Sequence, residues 1–341
     1  MPARTKGHAT IADVARQAGV DRAVVSKVLS GDPSLRVRDE TRQRVREAAA
    51  ALDYRPNFHA RGLARAQAGA IGLLVPADNP LMVPLISGAE EAATERGLLL
   101  WTTAHEGELT ERHLRLLQSG AVDAALVAGL RAGYHADALL RDPRVPTLLV
   151  DRRTVGSDRW IIVDDERAAR VATEHLMAQG HTRIGWAGGR AGVDSAQRRA
   201  NGIRDAMAAA DLGLDPSWVV AADYTPDGGA RAVTEILESE VRPTAIVAAD
   251  PIEALGAWHE LERRGLRVPD DISLIAVGKL PAEDYRVTPL TCVEMPLHRL
   301  GRRSVELVLD TPWDRPIREV LAEGFALNDG ATVAPPSAAG E

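Results

Sequence analysis

From residue 70 onward, short apolar runs alternate with stretches of helical spacing, and this alternation constrains the fold more than any other feature. The runs consist mainly of Val, Ile, Leu and Ala, which is typical of parallel strands buried on both faces. Repeated strand–helix–strand units predict an α/β fold with doubly wound parallel sheets. The candidate strands are 71–75, 98–104, 124–129 and 147–151 in a first series, and 161–165, 184–189, 218–223, 245–250 and 273–278 in a second.

Two series of strands predict two α/β lobes with a ligand cleft between them, at the carboxyl ends of the strands. The pieces that form no series of their own should return to these lobes; they are a strand at 290–295, a helix at 296–309 and the segment 318–327. The predicted boundaries are about 70–160 and 291–320 for the N-lobe, and about 161–290 and 321–328 for the C-lobe. Helices are predicted near 82–96, 108–119, 166–179, 194–212, 227–240 and 252–264.

The first 56 residues predict a separate small helical unit. Thr10 precedes apolar positions at helical spacing, and Asp13 follows three residues later, as a capping box requires. Gly19 ends this helix, and Asp21 can cap the next one. The inner face of the second helix carries Val24, Val25, Val28 and Leu29. Two short helices joined by a tight turn form a helix-turn-helix, which places its second helix in the DNA major groove.

The charge distribution supports a nucleic-acid partner for this unit. Residues 1–66 contain 13 Lys+Arg and 7 Asp+Glu, while the remainder contains 28 and 41, so a head of net charge +6 precedes a body of net charge −13. A basic domain on an acidic body is typical of DNA-binding proteins, because phosphate contacts need Lys and Arg. An ordinary solvated helical domain with surplus arginine is the alternative.

Composition excludes several classes of protein. No apolar run approaches the roughly 20 residues of a membrane span, and the first ten residues have no apolar stretch of signal-peptide type. We therefore expect a cytoplasmic protein without a membrane partner. The single cysteine, Cys292, should be a buried, inert thiol, and the nine histidines show no metal-ligand spacing, so neither metal nor cofactor is expected. Residues 329–341 are predicted to form a disordered tail.

A series of motifs extends from residue 9 to about residue 327: ATIADVARQAGVDRAVVSKVLSG, RVRDETRQRVREAAAALDYRPN, HARGLAR, IGLLVP, EHLMAQGHTRIGWAGG, SAQRRANGIRDAM, PTAIVAAD, ALGAWHELERRGLRVPDDISLIAVG, PLTCVEMP and LGRRSVELVL. In type, order and spacing they resemble the lactose-repressor (LacI/GalR) family of bacterial transcription regulators. The resemblance implies a helix-turn-helix headpiece (1–56), a hinge helix and linker (57–69), and a two-lobed, periplasmic-binding-protein-like core (70–328) that binds an effector and forms the dimer.

The resemblance assigns the recognition helix to the segment after Asp21. Arg22 can donate a bidentate pair to guanine, whereas Ala23 can make only an apolar contact, for example with a thymine methyl group. Ser26 is better placed for a phosphate, and Lys27 replaces the usual arginine of the family. Thr10 is a further candidate DNA contact. For each of these residues, a solvated helix surface is the alternative.

The hinge segment resembles a helix that becomes ordered only on operator DNA and enters the minor groove. Asn57 can cap this helix, Arg61 can contact DNA, and Leu63 matches the leucine that inserts between base pairs and kinks the duplex. A helix of about eight residues is marginal alone, and Gly62 weakens it further. The alternative is an interdomain linker with Leu63 packed on the core. A palindromic double-stranded operator then implies a homodimer, and the short C-terminal tail gives no basis for a tetramer.

The same resemblance proposes an effector site in the cleft. Arg199 matches the effector-binding arginine of the family, and Tyr224 matches an aromatic residue that stacks on the ligand. The remaining candidates are Asp78, Asn79, Asp164 and Asp250. For each aspartate, a helix cap or a surface charge is the alternative.

One departure from the family concerns the ligand. Sugar-binding members usually carry an aspartate where this chain has Gly278 or Lys279, so an acceptor for sugar hydroxyls is replaced by a cation. The hypothesis is an acidic or phosphorylated effector with Lys279 and Arg199 as counter-charges. The ligand class stays open among sugars, sugar phosphates and organic acids. A diverged or lost effector site is the alternative.

Two other functional classes, an enzyme and a solute-binding protein, are less well supported by the sequence. An enzyme on a doubly wound fold is poorly supported, because the glycine-rich segment 188–197 lacks GxGxxG spacing and no catalytic grouping is evident. A solute-binding protein of the same core fold normally needs export and has no basic head. The sequence therefore predicts a DNA-binding transcription regulator, most simply a repressor, under allosteric control by a small molecule.

Overall fold

The computed structural model describes residues 9–29, 35–54, 68–77, 79–105, 110–129, 144–154, 156–281 and 288–337. The chain forms two compact units, Met1–Ala68 and Gly69–Glu341. No helix within the described residues is long and apolar enough to cross a bilayer.

The first unit contains the three helices α1 (Ile11–Ala18), α2 (Arg22–Leu29) and α3 (Asp39–Ala51). At the start of α1, the carboxylate of Asp13 accepts hydrogen bonds from the backbone N–H and the hydroxyl of Thr10, at 2.9 and 2.7 Å. Gly19 ends α1 with φ +64°, and Asp21 Oδ1 accepts from the N–H of Ala23 at 2.8 Å. The predicted helix-turn-helix is confirmed, and its core contains Val14, Val25, Val28, Val45 and Ala48.

The second unit alternates strands with helices. Its strands are β1 (Ala70–Pro76), β2 (Leu99–His105), β3 (Ala124–Ala128), β4 (Thr147–Val150), β5 (Arg159–Val163), β6 (Ile184–Gly188), β7 (Val219–Ala221), β8 (Ala245–Ala248), β9 (Ser273–Val277), β10 (Thr291–Glu294), β11 (Ile317–Leu321) and β12 (Ala326–Asn328). Its helices are α4 (Met82–Glu95), α5 (Glu111–Leu116), α6 (Asp165–Ala178), α7 (Asp194–Ala209), α8 (Pro226–Leu237), α9 (Pro251–Arg263) and α10 (Leu297–Asp310).

Two six-stranded sheets divide this unit into two lobes, as predicted. The first lobe has the strand order β11-β5-β4-β3-β1-β2, and the second has the order β12-β10-β9-β8-β6-β7. Neighbouring strands are parallel throughout, except that β12 is antiparallel to β10. The inner strands β3, β8 and β9 are buried along their whole length, because helices cover both faces of each sheet. Cys292 lies buried in β10, as expected.

The structure shifts the predicted lobe boundaries. β5 belongs to the first sheet, where it pairs with β4 and β11, and β10 belongs to the second sheet, where it pairs with β9. The segment 318–327 divides between the two sheets as β11 and β12. The chain therefore crosses between lobes after β5, after β10 and after β11. The positions of these crossings depend on which sheet pairs with β10, β11 and β12. This pairing is determined by tertiary contacts and not by local sequence.

The predicted disordered tail is wrong for the part that packs on the second sheet. Thr332 is fully buried; its hydroxyl donates to the carbonyl of Leu274 at 2.6 Å and accepts from the N–H of Thr291 at 2.9 Å. The carbonyl of Ala334 accepts from the hydroxyl of Ser273 at 3.0 Å. A polar, proline-rich segment is thus ordered because backbone groups of the second sheet bind it.

Helices α4 and α10 of the first lobe cross with their backbones in contact. A Cβ on Gly88 would lie 2.0 Å from the carbonyl oxygen of His298, and a Cβ on Gly301 would lie 2.0 Å from that of Leu85. Only glycine fits on both sides of this crossing, because the obstructing atoms are backbone and cannot rotate away.

We expect Gly301→Ala to destabilise the protein by about 1–3 kcal/mol, since the two helices must separate. Without the backbone contact, alanine would stabilise the helix by ~0.5–1 kcal/mol relative to glycine. The sign of the change in unfolding free energy therefore shows whether the contact exists. Denaturant unfolding measures the effect. Gly213→Ala is the matched control, because nothing lies within 4 Å of its added methyl group. A stabilised Gly301→Ala variant would disprove the backbone contact.

Candidate functional site

The exposed face of α2 carries the four side chains predicted to meet DNA. Arg22, Ala23, Ser26 and Lys27 are all exposed, while Val25 and Val28 on the opposite face are buried. Positions i, i+1, i+4 and i+5 share one side of a helix, so the four side chains form a single surface. This surface spans residues 22–27 and carries two cations, Arg22 and Lys27, so it can contact base edges in the major groove.

Thr10 is exposed at the start of α1, but its hydroxyl is engaged with Asp13. That bond and the backbone N–H of Thr10 lower the pKa of the Asp13 carboxyl. The hinge candidates Asn57, Arg61 and Leu63 lie outside the described residues, and so does Asp78.

A cavity of about 460 Å³ lies between the two lobes, at the carboxyl ends of both sets of strands. Ligand pockets in proteins usually measure about 300–1,000 Å³. The first lobe contributes Pro76, Ala77, Asn79, Leu81, Met82, Gly129, Asp151 and Arg152; the second contributes Arg190, Val193, Ser195, Arg199, Asp223, Tyr224, Thr225, Asp250 and Ile252; the crossing after β10 contributes Met295 and Leu297.

Arg199 is fixed at the cavity wall by groups from several elements. Its Nε donates to Asp165 Oδ1 at 2.7 Å, and one terminal nitrogen donates to the carbonyl of Ala249 at 2.6 Å. Burial lowers the pKa of the guanidinium most strongly, but the charges of Asp165, Tyr224 and Asp151 and the hydrogen bond to Asp165 together outweigh burial and raise it. Arg199 is therefore a permanent cation with a fixed orientation, and some of its N–H donors remain for a ligand.

A chain of ion pairs runs from Arg199 to the mouth of the cleft. Asp165 also accepts from Arg198, and Arg198 also donates to Asp194. Asp194, the first residue of α7 in the second lobe, binds Arg153, which follows β4 in the first lobe. The side chain of Arg153 donates to both oxygens of Asp194, at 2.9 and 3.2 Å. This pair joins the two lobes at the edge of the cavity.

Asp151 and Arg152 follow β4 and line the cavity, and each has a buried polar atom without a hydrogen-bond partner among the described residues. Asp151 has φ +69° and is only 8 % exposed, and its Oδ1 has no hydrogen-bond partner among the described residues. Burial, and then the charge of Asp165, raises the pKa of Asp151 to about 6. Arg152 donates from one terminal nitrogen to the carbonyl of Gly129 at 3.0 Å. Its buried Nε has no hydrogen-bond partner among the described residues.

Tyr224 forms an aromatic wall beside these groups. Its φ is +65°, and its N–H donates to Glu253 Oε1 at 2.5 Å, which holds the backbone in that conformation. Its hydroxyl lies 3.4 Å from Ser195 Oγ, and the guanidinium carbon of Arg152 lies 5.9 Å from its ring centroid. Gly189 contacts the hydroxyl end of the ring, and a Cβ there would lie 2.6 Å from Oη.

Asp250 and Glu253 form a buried acidic pair at the start of α9. Asp250 Oδ1 caps this helix by accepting from the N–H of Glu253 at 2.8 Å, and burial raises the pKa of Asp250. Burial, and then the nearby Asp250, raises the pKa of Glu253 to about 8. Asp250 is thus both a helix cap and a cavity residue.

The structure brings Asn79, Arg199, Tyr224 and Asp250 together in the cavity wall. It places Asp164 elsewhere: this side chain caps α6 by accepting from the N–H of Arg167 at 3.0 Å. Lys279 also lies outside the wall, with its Nζ 3.3 Å from Asn328 Oδ1 and 3.9 Å from Glu294. The counter-charge expected of Lys279 is therefore taken up within the protein.

Sequence reasoning missed several polar cavity residues: Asp151, Arg152, Arg190, Ser195 and Asp223. Each lies shortly after the end of β4, β6 or β7. The signal that could have found them is their position, because ligands bind outside the carboxyl ends of parallel strands.

Comparison with known proteins agrees with these two units. The family described as "Bacterial regulatory proteins, lacI family" matches residues 10–57, and the family described as "Periplasmic binding protein-like domain" matches residues 173–333. The HTH-type transcriptional repressor PurR of Aliivibrio fischeri is 33% identical over 314 residues, which cover 90% of this chain and 93% of that protein.

Two solved structures extend the comparison. The lac repressor bound to ONPG in its repressed state superposes with a TM-score of 0.80 at 25% identity, covering 96% of this chain and 100% of that one. The complex of the transcriptional regulator CelR with cellobiose gives a TM-score of 0.71 at 26% identity, covering 95% and 99%. The family contains transcriptional repressors rather than enzymes. With its helix-turn-helix unit, its two-lobed core and a repressor relative aligned along most of its length, this chain belongs to the LacI family of DNA-binding transcriptional regulators.

Proposed function

We propose that this regulator is a repressor that binds a palindromic operator as a homodimer and that a small molecule in the interlobe cavity controls its operator affinity. The exposed face of α2 on a basic head carries this proposal most directly. We place its action in the cytoplasm, where the operator DNA is found.

On the DNA side, we assign base contacts to Arg22 and Ala23, and backbone contacts to Ser26, Lys27 and Thr10. Arginine at the start of a recognition helix can reach guanine O6 and N7 with two parallel hydrogen bonds. In the segment after α3, we assign minor-groove contacts to Asn57 and Arg61 and the intercalating wedge to Leu63.

The dimer proposal rests on exposed apolar side chains of the first lobe. Leu99 and Trp101 on the edge strand β2 are 44% and 41% exposed, and Val83 on α4 and Leu116 on α5 are 54% and 41% exposed. Large apolar residues on an unpaired strand edge favour a protein partner. A second copy of the chain is that partner in our proposal, since two headpieces then read two half-sites.

Selection from fragmented genomic DNA tests this function. The full-length chain should enrich one short palindromic sequence, including fragments from its own upstream region. Sequencing of the retained fragments is the measurement. Uniform recovery of all fragments would contradict a sequence-specific regulator.

Arg22→Ala should relax the preference at one base position by about 1–3 kcal/mol of discrimination. Competition with duplexes that carry each base at that position measures the change. Lys27→Ala is the control on the same face and should weaken binding to all sequences alike, with a shallower salt dependence. A uniform loss in Arg22→Ala as well would make Arg22 a phosphate contact.

A further inference from the structure

Two arginines of the cavity wall form no ion pair with a carboxylate among the described residues. Arg199 in the same wall is paired with Asp165, but neither Arg152 nor Arg190 lies within ion-pair distance of an acidic group in the described part of the chain. Arg190 is exposed, and the Nε of Arg152 is buried without a hydrogen-bond partner. The wall therefore presents two guanidinium groups that form no ion pair with a described carboxylate.

These two arginines are anchored beside Tyr224. The guanidinium of Arg152 lies over the ring, 5.9 Å from its centroid. Arg190 directly follows Gly189, whose backbone approaches the hydroxyl end of the same ring so closely that a Cβ would lie 2.6 Å from Oη. Both arginines thus line the cavity beside the same tyrosine, where two guanidinium groups can bind one small anion.

Asp151, next to these two arginines, needs a hydrogen-bond donor from the ligand rather than an anionic group. It is only 8 % exposed and lines the same cavity, and its Oδ1 has no hydrogen-bond partner among the described residues. A buried carboxylate oxygen without a partner needs a donor, which a ligand hydroxyl or ammonium group supplies. Asp151 and Arg152 line the same cavity, so one ligand can carry both the donor and the anionic group.

We propose that the effector is a small hydroxylated acid whose carboxylate or phosphate ester binds Arg152 and Arg190 and whose hydroxyl donates to Asp151. This inference rests on the proposed function, because it names the ligand of the same cavity. A neutral sugar would leave both guanidinium groups without an ion pair. Lys279 takes no part, since it lies beside Glu294 and Asn328.

Calorimetric titration of the full-length protein with matched probes tests the proposal. Glucose is the neutral probe, gluconate carries the carboxylate, and glucose 6-phosphate carries the phosphate ester. At least one acid should bind tenfold or more tightly than glucose at equal ionic strength. The tighter of the two identifies the anionic group. Hexanoate, a six-carbon carboxylate without hydroxyls, should bind at least tenfold more weakly than the acid that binds.

Arg190→Gln should reduce the affinity for that acid at least tenfold and leave the affinity for glucose unchanged. Arg152→Gln should do the same and serves as the second variant. Lys279→Gln is the matched control, because it removes a cation outside the cavity wall and should leave all affinities within twofold. Far-UV circular dichroism and an unchanged melting temperature establish that each variant is folded.

Two results would overturn the proposed ligand class. One is glucose binding as tightly as either acid with no loss in Arg190→Gln. The other is no binding of either acid, together with no rise in melting temperature in inorganic phosphate relative to chloride. Operator binding is measured on the same preparations without ligand. If it persists, only the ligand class has failed; if wild-type protein shows no DNA preference, the proposed function has failed.

Discussion

Asp165→Asn should lower the free energy of unfolding by roughly 3–5 kcal/mol, the cost of breaking a buried ion pair by removing one partner. Asp165 is fully buried, and its two oxygens bind Arg198 and Arg199, which are 6% and 5% exposed. Asparagine keeps the shape but not the charge, so Arg198 keeps only Asp194 and Arg199 loses the carboxylate with which it is paired. Denaturant unfolding followed by the fluorescence of the buried tryptophans measures the change.

The matched control is Asp205→Asn. Asp205 pairs with Arg170 at 3.7 Å, but both side chains are about half exposed. Exposed pairs contribute about 0–1 kcal/mol, so this variant should unfold almost as the wild type does. Equal effects in the two variants would mean that Asp165 does not hold the ion-pair chain together.

The stability of the protein should decrease as pH rises from about 5 to about 8, because of Glu253. Burial, and then Asp250, raises the pKa of this carboxyl from 4.5 to about 8 in the folded state. The folded protein therefore keeps a proton that the unfolded chain releases. This contribution is complete below about 4.5 and is lost as pH rises towards 8. The free energy of unfolding should fall by up to ~1.4 kcal/mol per pH unit in this window.

Glu253→Gln should remove most of that pH dependence, because glutamine resembles the neutral acid and keeps an acceptor for the N–H of Tyr224. Unfolding titrations at about pH 5 and about pH 8 provide the comparison. Glu262→Gln, on the exposed side of the same helix, should retain the wild-type profile. Parallel profiles for wild type and Glu253→Gln would show that Glu253 is ionised in the folded protein throughout.

The elements of the fold could be predicted where local pattern decides the structure. The buried apolar runs at 124–128 and 245–248 form strands as expected, and capping and left-handed glycine place α1 correctly. Pairing partners could not be predicted, since β10 and β11 are both short strands late in the chain but join different sheets. Whether the segment around Thr332 is ordered also depends on the hydrogen-bonding groups of distant strands.

The residues of the cavity could also be predicted only in part. Arg199, Tyr224 and Asp250 lie in the cavity, whereas Asp164 turns its carboxylate back to cap its own helix. The choice between capping and facing the cavity is made by rotamer and backbone direction, which residue type does not specify. Asp151 faces the cavity with φ +69°, a conformation that the sequence gives no reason to expect at a non-glycine residue.

Competition binding of the full-length protein to DNA tests sequence-specific recognition most directly. A labelled duplex with the selected palindrome is titrated in the presence of excess random-sequence competitor. A sequence-specific repressor should bind the palindrome roughly a thousandfold or more tightly than random duplex, with an affinity that falls steeply with salt. Equal affinity for both duplexes at every salt concentration would contradict sequence-specific recognition.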